Sequence, residues 1–275
     1  MTDHHEQQGR RVAIVTGAST GIGEASARAL HVAGYRVFGT YRQAPASMSA
    51  DVECLICDVT RDESVERAVE EVLAKTGRID LLVNSAGVGL FAGAEESSLD
   101  QAKSLFDVNL FGVIRMTKAV LPAMRRQGRG RIVNVSSIMG LIPAPYSALY
   151  ASSKHAVEGY SESLDHEVRS SGVRVVLVEP AYTRTRFESN LIKADRPLDE
   201  YAQARSNVED VIRNAMKTAD SPELVAQVVL QASTVVNPRR RYTAGRMAGQ
   251  VSLLRRFVPE NAFDKSLRKQ MRLPA

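Results

Sequence analysis

Arg11-Val-Ala-Ile-Val-Thr16-Gly17-Ala-Ser-Thr-Gly21-Ile-Gly23 is a short apolar run that breaks into a glycine-rich turn. The run has the length and composition of a buried strand. Glycines this dense permit a tight turn and the close approach of a ligand. Residues 24–33 continue as a helix, stopped by Gly34. A strand, a glycine turn and a helix start together aim unpaired N–H groups and the positive end of a helix dipole at an anion. A diphosphate suits that seat. The spacing is Gly-x3-Gly-x-Gly, not the Gly-x-Gly-x-x-Gly of the common dinucleotide fingerprint, so a purely structural turn is the alternative on this stretch alone.

Further strands are expected at 35–41, 52–56, 79–83, 131–135, 173–179 and 242–244. Between them, Thr60-Arg-Asp-Glu63 has the form of a capping box that opens a helix to about Lys75. One long helix over 99–127 carries Asn109, another covers 151–170, and Ser221-Pro222 starts a third that runs to about Ala232. Strands alternating with helices imply a single α/β domain, a doubly wound parallel sheet of about seven strands with helices on both faces. Ligands of such sheets sit at the carboxyl ends of the strands, where Gly17, Asp58, Asn84, Ser137 and Pro180 all fall. Residues 1–10 read as a disordered terminus and 11–245 as the domain. Within it, polar 183–220 is longer than a simple connection and reads as a lid. Residues 246–275 form a basic extension.

Tyr150 and Lys154, four apart in Tyr150-Ala-Ser-Ser-Lys154, share one face of their helix. A phenol titrates near ~10, and an adjacent ammonium favours the phenolate and lowers that value. A general acid/base works best with a pKa near the working pH. Ser137, at a strand end, is placed to hold a substrate oxygen against the tyrosine. An exposed helix pair is the structural alternative for Tyr150 and Lys154.

Composition is that of an ordinary globular chain, 44% hydrophobic and 24% charged over 275 residues. No run approaches the ~18–20 apolar residues of a membrane span. The polar start has no apolar leader segment, and His4 and His5 read as part of a frayed end, not as metal ligands. Cys54 and Cys57 lie in a strand, three apart, and face opposite ways, which fits packing in a reducing cytoplasm better than zinc binding. The net charge of +5 is uneven, because from Arg239 onward ten Lys/Arg face two acids. That excess belongs to the tail and gives no reason to expect nucleic acid as a partner. The tail mixes bulky apolar residues with Arg and Lys. Packing over the cleft or a partner subunit is the preferred reading of it, and contact with an anionic membrane surface is the alternative.

With these pieces in order, residues 11–245 resemble the short-chain dehydrogenase/reductase family. The resemblance rests on Thr16-Gly-x3-Gly21-Ile-Gly23, Asp58-Val59, Asn84-Ser-Ala-Gly87, Asn109, Ser137, Tyr150-x3-Lys154 and Pro180-x4-Thr185. It implies that Gly17, Ser19, Thr20, Gly21, Ile22 and Gly23 carry a cofactor diphosphate, and that Asp58 and Val59 meet its adenine. Asn84, Ala86, Gly87, Pro180, Thr183 and Thr185 would line the rest of the cofactor site. Tyr150 would exchange the proton with substrate, while Lys154 would bind the nicotinamide ribose and lower the tyrosine pKa. Ser137 would orient the carbonyl, and Asn109 would hold a water linking lysine to solvent. Ser85 departs from a more usual Asn, and Ala181 from a usual Gly. The basic extension resembles that of the hydroxysteroid and retinol dehydrogenases. A homodimer or homotetramer, formed through the helices of Asn109 and Tyr150, is implied as well.

The expected activity is hydride transfer between a nicotinamide and a carbonyl or alcohol. A cofactor-binding sensor without turnover is the rival, and it would be expected to lack Ser137, Tyr150 or Lys154. Met139, Tyr146, Tyr182 and Phe187, with Leu90, Phe91, Leu141 and Ile142, make an apolar wall suited to a steroid, retinoid or aryl ketone. NADP(H) is expected over NAD(H). The second strand ends Tyr41-Arg42-Gln43, with no acid before Asp51 to meet a ribose hydroxyl pair. A guanidinium at Arg42 suits a 2′-phosphate.

Overall fold

In the computed structural model, which describes residues 9–44, 51–187 and 190–273, the opening apolar run is buried throughout as strand β1 (Val12–Val15). Its alternate side chains feed two cores, since successive residues of a strand point to opposite faces. Val12 and Ile14 face one cluster; Ala13 and Val15 face the other. β1 pairs in parallel with β2 (Arg36–Tyr41) on one side and β4 (Leu81–Asn84) on the other. β3 (Glu53–Ile56) extends the β2 side, and β6 (Gly130–Val135), β7 (Val173–Pro180) and β9 (Arg241–Ala244) extend the β4 side. The seven-stranded order β3-β2-β1-β4-β6-β7-β9 reverses between β1 and β4. That switch point opens the crevice in which such sheets bind ligands. Short β5 (Leu90–Phe91) and β8 (Ile192–Lys193) pair separately.

Helices α1 (Gly21–Val32) and α7 (Pro222–Thr234) cover one face through Leu30, Val225 and Val229. On the other lie α2 (Asp62–Thr76), α4 (Gly112–Arg126) and α5 (Ala148–Val168), through Val69, Val120 and Leu164. α6 (Ala202–Met216) lies within the proposed lid, and α8 (Arg246–Phe257) and α9 (Glu260–Gln270) make the C-terminal extension. α8 packs against β9 and the 3-10 turn Ile138–Gly140, and α9 packs back on α8.

Two local expectations are corrected. The capping box at Thr60 does not form. The Thr60 hydroxyl turns back to Asp58 Oδ1 at 2.8 Å, and α2 starts after Arg61 without a side-chain cap. The long helix over 99–127 is broken as well. α3 (Leu99–Phe106) passes through a π turn, Asp107–Phe111, before α4 begins. π turns inside helices often mark functional sites, and this one carries Asn109. At Ser221 the expectation holds, because its hydroxyl accepts the Leu224 amide at 3.3 Å and Pro222 opens α7. His4 and His5 lie outside the described residues.

Candidate active site

The turn after β1 is built so that backbone alone faces the crevice. Gly17 and Gly21 have φ of +68° and +61°, a region that side chains resist. A Cβ on Gly23 would stand 2.2 Å from the Gly17 carbonyl. No side chain caps the start of α1 at Thr20, so its first amides keep their donors for a ligand. Thr40 fixes the turn from β2, its hydroxyl accepting the Gly17 amide at 3.2 Å. Thr16 fixes it to the next loop, accepting the Ser85 and Ala86 amides at 3.0 Å each. Those bonds are to backbone, which explains why Ser85 is tolerated there. The loop after β7 closes over the turn, and Thr185 would lie 3.0 Å from a Cβ on Gly21. A cleft of about 690 Å³ remains, with Ser19, Thr20 and Gly21 on one wall and Arg184, Thr185 and Arg186 on the other. Helix-start amides beside two guanidiniums are the donor set a diphosphate needs, so the residues present fit a dinucleotide.

At the neighbouring strand ends, Ser137, Tyr150 and Lys154 converge. Ser137 follows β6 and caps the short turn, its Oγ accepting the Met139 amide at 3.2 Å. The same hydroxyl bonds to the Tyr150 phenol. Lys154 is almost wholly buried, its Nζ donating to the Val135 carbonyl at 3.0 Å and lying 5.8 Å from the Tyr150 ring centre. Gly87 packs against both Asn109 and Lys154. Asn109 is buried in the π turn, holding the Val88 amide and carbonyl at 2.9 Å each and Ser153 at 3.2 Å. These four residues meet as expected, and a helix pair in solvent is excluded.

Their ionisation departs from the expectation that lysine lowers the tyrosine. Burial pushes the Tyr150 phenol up to about 12, with the Ser137 bond opposing. Burial also pulls Lys154 down to about 8, against the field of Glu158. The ammonium spends a bond on Val135 rather than on the phenol, so desolvation wins. At neutral pH the pair stands as neutral phenol and ammonium, the form that donates a proton.

One helical turn beyond Lys154 lies a group that the sequence reading missed. Arg241 of β9 gathers three carboxylates, Glu158 at 2.5 Å, Glu179 at 2.9 Å and Glu162 at 3.1 Å. Burial first, then the Glu179 charge, raises Glu158 to about 7, with Ser136 and Arg241 opposing. A pKa raised by folding means stability that is complete below the unfolded value and lost as pH rises through about 7. Glu158→Gln is therefore expected to be more stable than wild type at pH 8, by ~1–3 kcal/mol. The gain should fade toward pH 5. Paired urea titrations at the two pH values check this; equal destabilisation at both would contradict it.

The remaining expected residues divide. Asp58 Oδ1 accepts the Thr60 amide at 3.0 Å, which holds its carboxyl below the usual range, and the charge of Arg42 acts in the same direction. Tyr41 is half-buried at the end of β2 and Arg42 is exposed beside it, while Val59 is buried beneath Gly112. Asn84 is buried at the end of β4. Its amide donates to Asn134 at 2.9 Å, and Asn134 donates to Ser161 at 2.8 Å, tying β4, β6 and α5 together. Pro180 ends β7, and Thr183 bridges to Asp220, joining the two ends of segment 183–220.

Among the apolar wall residues, the Phe187 ring lies 5.9 Å from Tyr150, and Tyr146 stacks between Phe91 and Tyr201 at 6.0 and 6.2 Å. Tyr146 has a positive φ of 57°, a strained backbone for a ring-bearing residue, and its carbonyl accepts the Ala92 amide. Met139, Leu141 and Tyr182 are half-buried, while Leu90 and Ile142 are buried. Segment 183–220 is pinned by fully buried Glu96, which accepts the Leu198 amide at 2.9 Å and pairs with Arg205. Cys57 is buried, with its thiol pushed up to about 11 by desolvation, so it packs and does not react. No helix among the described residues is long and apolar enough to cross a membrane.

Known proteins resemble this chain in sequence and fold. A 3-ketodihydrosphingosine reductase of Bacteroides thetaiotaomicron is 33% identical over 261 residues, 94% of this chain and 97% of its own. The solved structure of ElxO with NADP bound has a TM-score of 0.72 at 27% identity, covering 86% of this chain and 97% of that one. A short-chain dehydrogenase/reductase of Burkholderia phymatum in complex with NAD reaches 0.78 at 25% identity, covering 94% and 96%. The profile of the short chain dehydrogenases matches residues 11–196. With a parallel sheet that reverses between β1 and β4 and a Ser137–Tyr150–Lys154 centre above it, this chain belongs to the short-chain dehydrogenase family, the nicotinamide-dependent oxidoreductases of CH–OH groups.

Proposed function

We propose that the chain is an NADP(H)-dependent oxidoreductase that interconverts an apolar ketone or aldehyde and its alcohol. The convergence of Ser137, Tyr150 and Lys154 carries this reading. Ser137 holds the carbonyl oxygen, and the neutral Tyr150 phenol hands it a proton as the carbonyl carbon becomes an alcohol carbon. A bound nicotinamide supplies the hydride in that direction and accepts it in the other. Lys154, the nearest cation, stabilises the tyrosinate left behind. A sensor without turnover would have no use for buried Ser137 and Lys154 converging on half-buried Tyr150. The substrate class rests on Phe187 against Tyr150 and on the apolar residues Phe91, Met139 and Tyr146, and steroid, retinoid or aryl ketones suit such a wall. Similarity to the Bacteroides 3-ketodihydrosphingosine reductase is in keeping with a ketone.

The preference for NADP(H) rests on Tyr41 and Arg42. No acid stands between the end of β2 and Asp51 to repel a 2′-phosphate, and Arg42 is exposed there, near enough to help lower the Asp58 pKa. A hydrogen bond to a charged group contributes ~1.5–3 kcal/mol. Arg42→Ala is thus expected to weaken kcat/KM for NADPH about 10- to 100-fold and to leave NADH nearly unchanged. Steady-state rates with both cofactors check it, and a wild type that uses NADH as well or better would contradict it. Two free thiols support a cytoplasmic setting. Exposed Phe111 beside the Asn109 turn supports self-association as a homodimer or homotetramer, which light scattering measures.

A further inference from the structure

The C-terminal extension leaves four bulky apolar residues exposed. On α8, Met247, Leu254 and Phe257 fall seven and three residues apart, on one stripe of the helix, with Leu253 at its edge. Leu253, Leu254 and Phe257 are 61%, 51% and 71% exposed. The opposite side of the helix holds it to the body through buried Ala248 and half-buried Val251. Cations border the stripe. Arg246, Arg255 and Arg256 are exposed on α8, with Arg256 stacked over Phe257 at 5.5 Å and Arg255 over Phe263 at 5.5 Å. α9 adds exposed Lys265 and Lys269. From Arg239 onward the chain carries +8, so all that precedes it sums to −3.

We infer that this face docks on an anionic lipid bilayer, with Leu253, Leu254 and Phe257 entering the headgroup boundary and the arginines meeting lipid phosphates. An apolar stripe edged by cations on a surface helix has the chemistry of interfacial membrane binding. A second copy of the chain is the poorer occupant. A two-fold interface sets a patch against itself, which here would oppose one cluster of arginines to another. Soluble polyanions would satisfy the cations and leave the stripe in water. The position also has a use. α8 packs on the turn Ile138–Gly140, directly after Ser137. A membrane held there would lie beside the catalytic centre, close to where an apolar carbonyl compound concentrates.

The test is co-sedimentation of the full chain with vesicles at physiological salt, without cofactor or substrate, so that its failure leaves the reading of the reaction standing. Binding is expected to phosphatidylcholine vesicles containing phosphatidylglycerol and not to phosphatidylcholine alone. Leu254→Asp/Phe257→Asp is expected to lower the partition coefficient ~10-fold or more, as is Arg246→Glu/Arg256→Glu. Both variants should keep the wild-type melting temperature and turnover of a water-soluble ketone, which separates lost docking from lost folding. No binding to anionic vesicles, equal binding to neutral ones, or unchanged binding by folded variants would overturn the inference. So would a change of oligomeric mass in the stripe variant without any vesicle binding by wild type, which would assign the face to a second copy.

Discussion

Tyr150→Phe is expected to lower kcat by ~10²–10⁴-fold, the usual contribution of a positioned acid/base, while cofactor affinity barely changes. The substitution keeps the ring against Phe187 and removes the hydroxyl that bonds to Ser137. Desolvation pushes the phenol up to about 12 and so favours its neutral form, and the loss expected is that of a proton donor. Lys154→Ala should damage turnover and cofactor binding together, because its ammonium is the charge nearest both the phenol and the Val135 carbonyl. Titration of the purified variants with cofactor, beside single-turnover rates, separates the two effects. Near-full turnover by Tyr150→Phe would sink the assignment.

The largest expected loss of stability lies at Asp165, on the same helix but at its far end. Its carboxylate is buried, accepting Arg174 Nε at 2.8 Å and the Val175 amide at 2.9 Å, and it pairs with Arg169 as well. Burial alone would raise its pKa, yet these bonds outweigh burial and hold it down to about 2. Asp165→Ala leaves the buried Val175 amide without its acceptor and removes the shared partner of partly exposed Arg169 and Arg174, a loss of ~1–3 kcal/mol. A carboxyl lowered by folding contributes stability that is present above its unfolded value and lost as pH falls through about 2. The gap between wild type and variant should therefore be full at pH 7 and close progressively in acid. Chemical denaturation at several pH values measures it. A loss below ~1 kcal/mol at pH 7 would place Asp165 among surface ion pairs, which contribute that little.

What the sequence made legible was local. The glycine turn, the period of the strands and the four-residue spacing of Tyr150 and Lys154 are properties of short stretches, and each appears in the fold where its stretch implied. The misses involve competition or distance. Thr60 satisfied the pattern of a capping box, but Asp58 offered its hydroxyl a nearer charged acceptor. The π turn at Asn109 inserts a residue into the helical repeat, and an apolar pattern does not register that. Asn84 looked like a cleft residue because it ends a strand, yet Asn134, fifty residues away, claims its amide. The cluster around Arg241 joins α5, β7 and β9, so only the folded chain brings Glu158, Glu162 and Glu179 together. The ionisation of Tyr150 follows from burial, which spacing does not report.

Hydride transfer from this crevice to a carbonyl carbon, with Tyr150 supplying the proton, is open to a direct isotopic test. Purified protein should be incubated with NADPH deuterated at the transferring position of the nicotinamide, across a panel of apolar and small polar ketones. The account predicts cofactor oxidation, with deuterium on the carbinol carbon of the apolar products, and neither with Tyr150→Phe on the same timescale. Tight cofactor binding with no label transferred to any carbonyl compound, or label transferred only to small polar ketones and sugars, would contradict it.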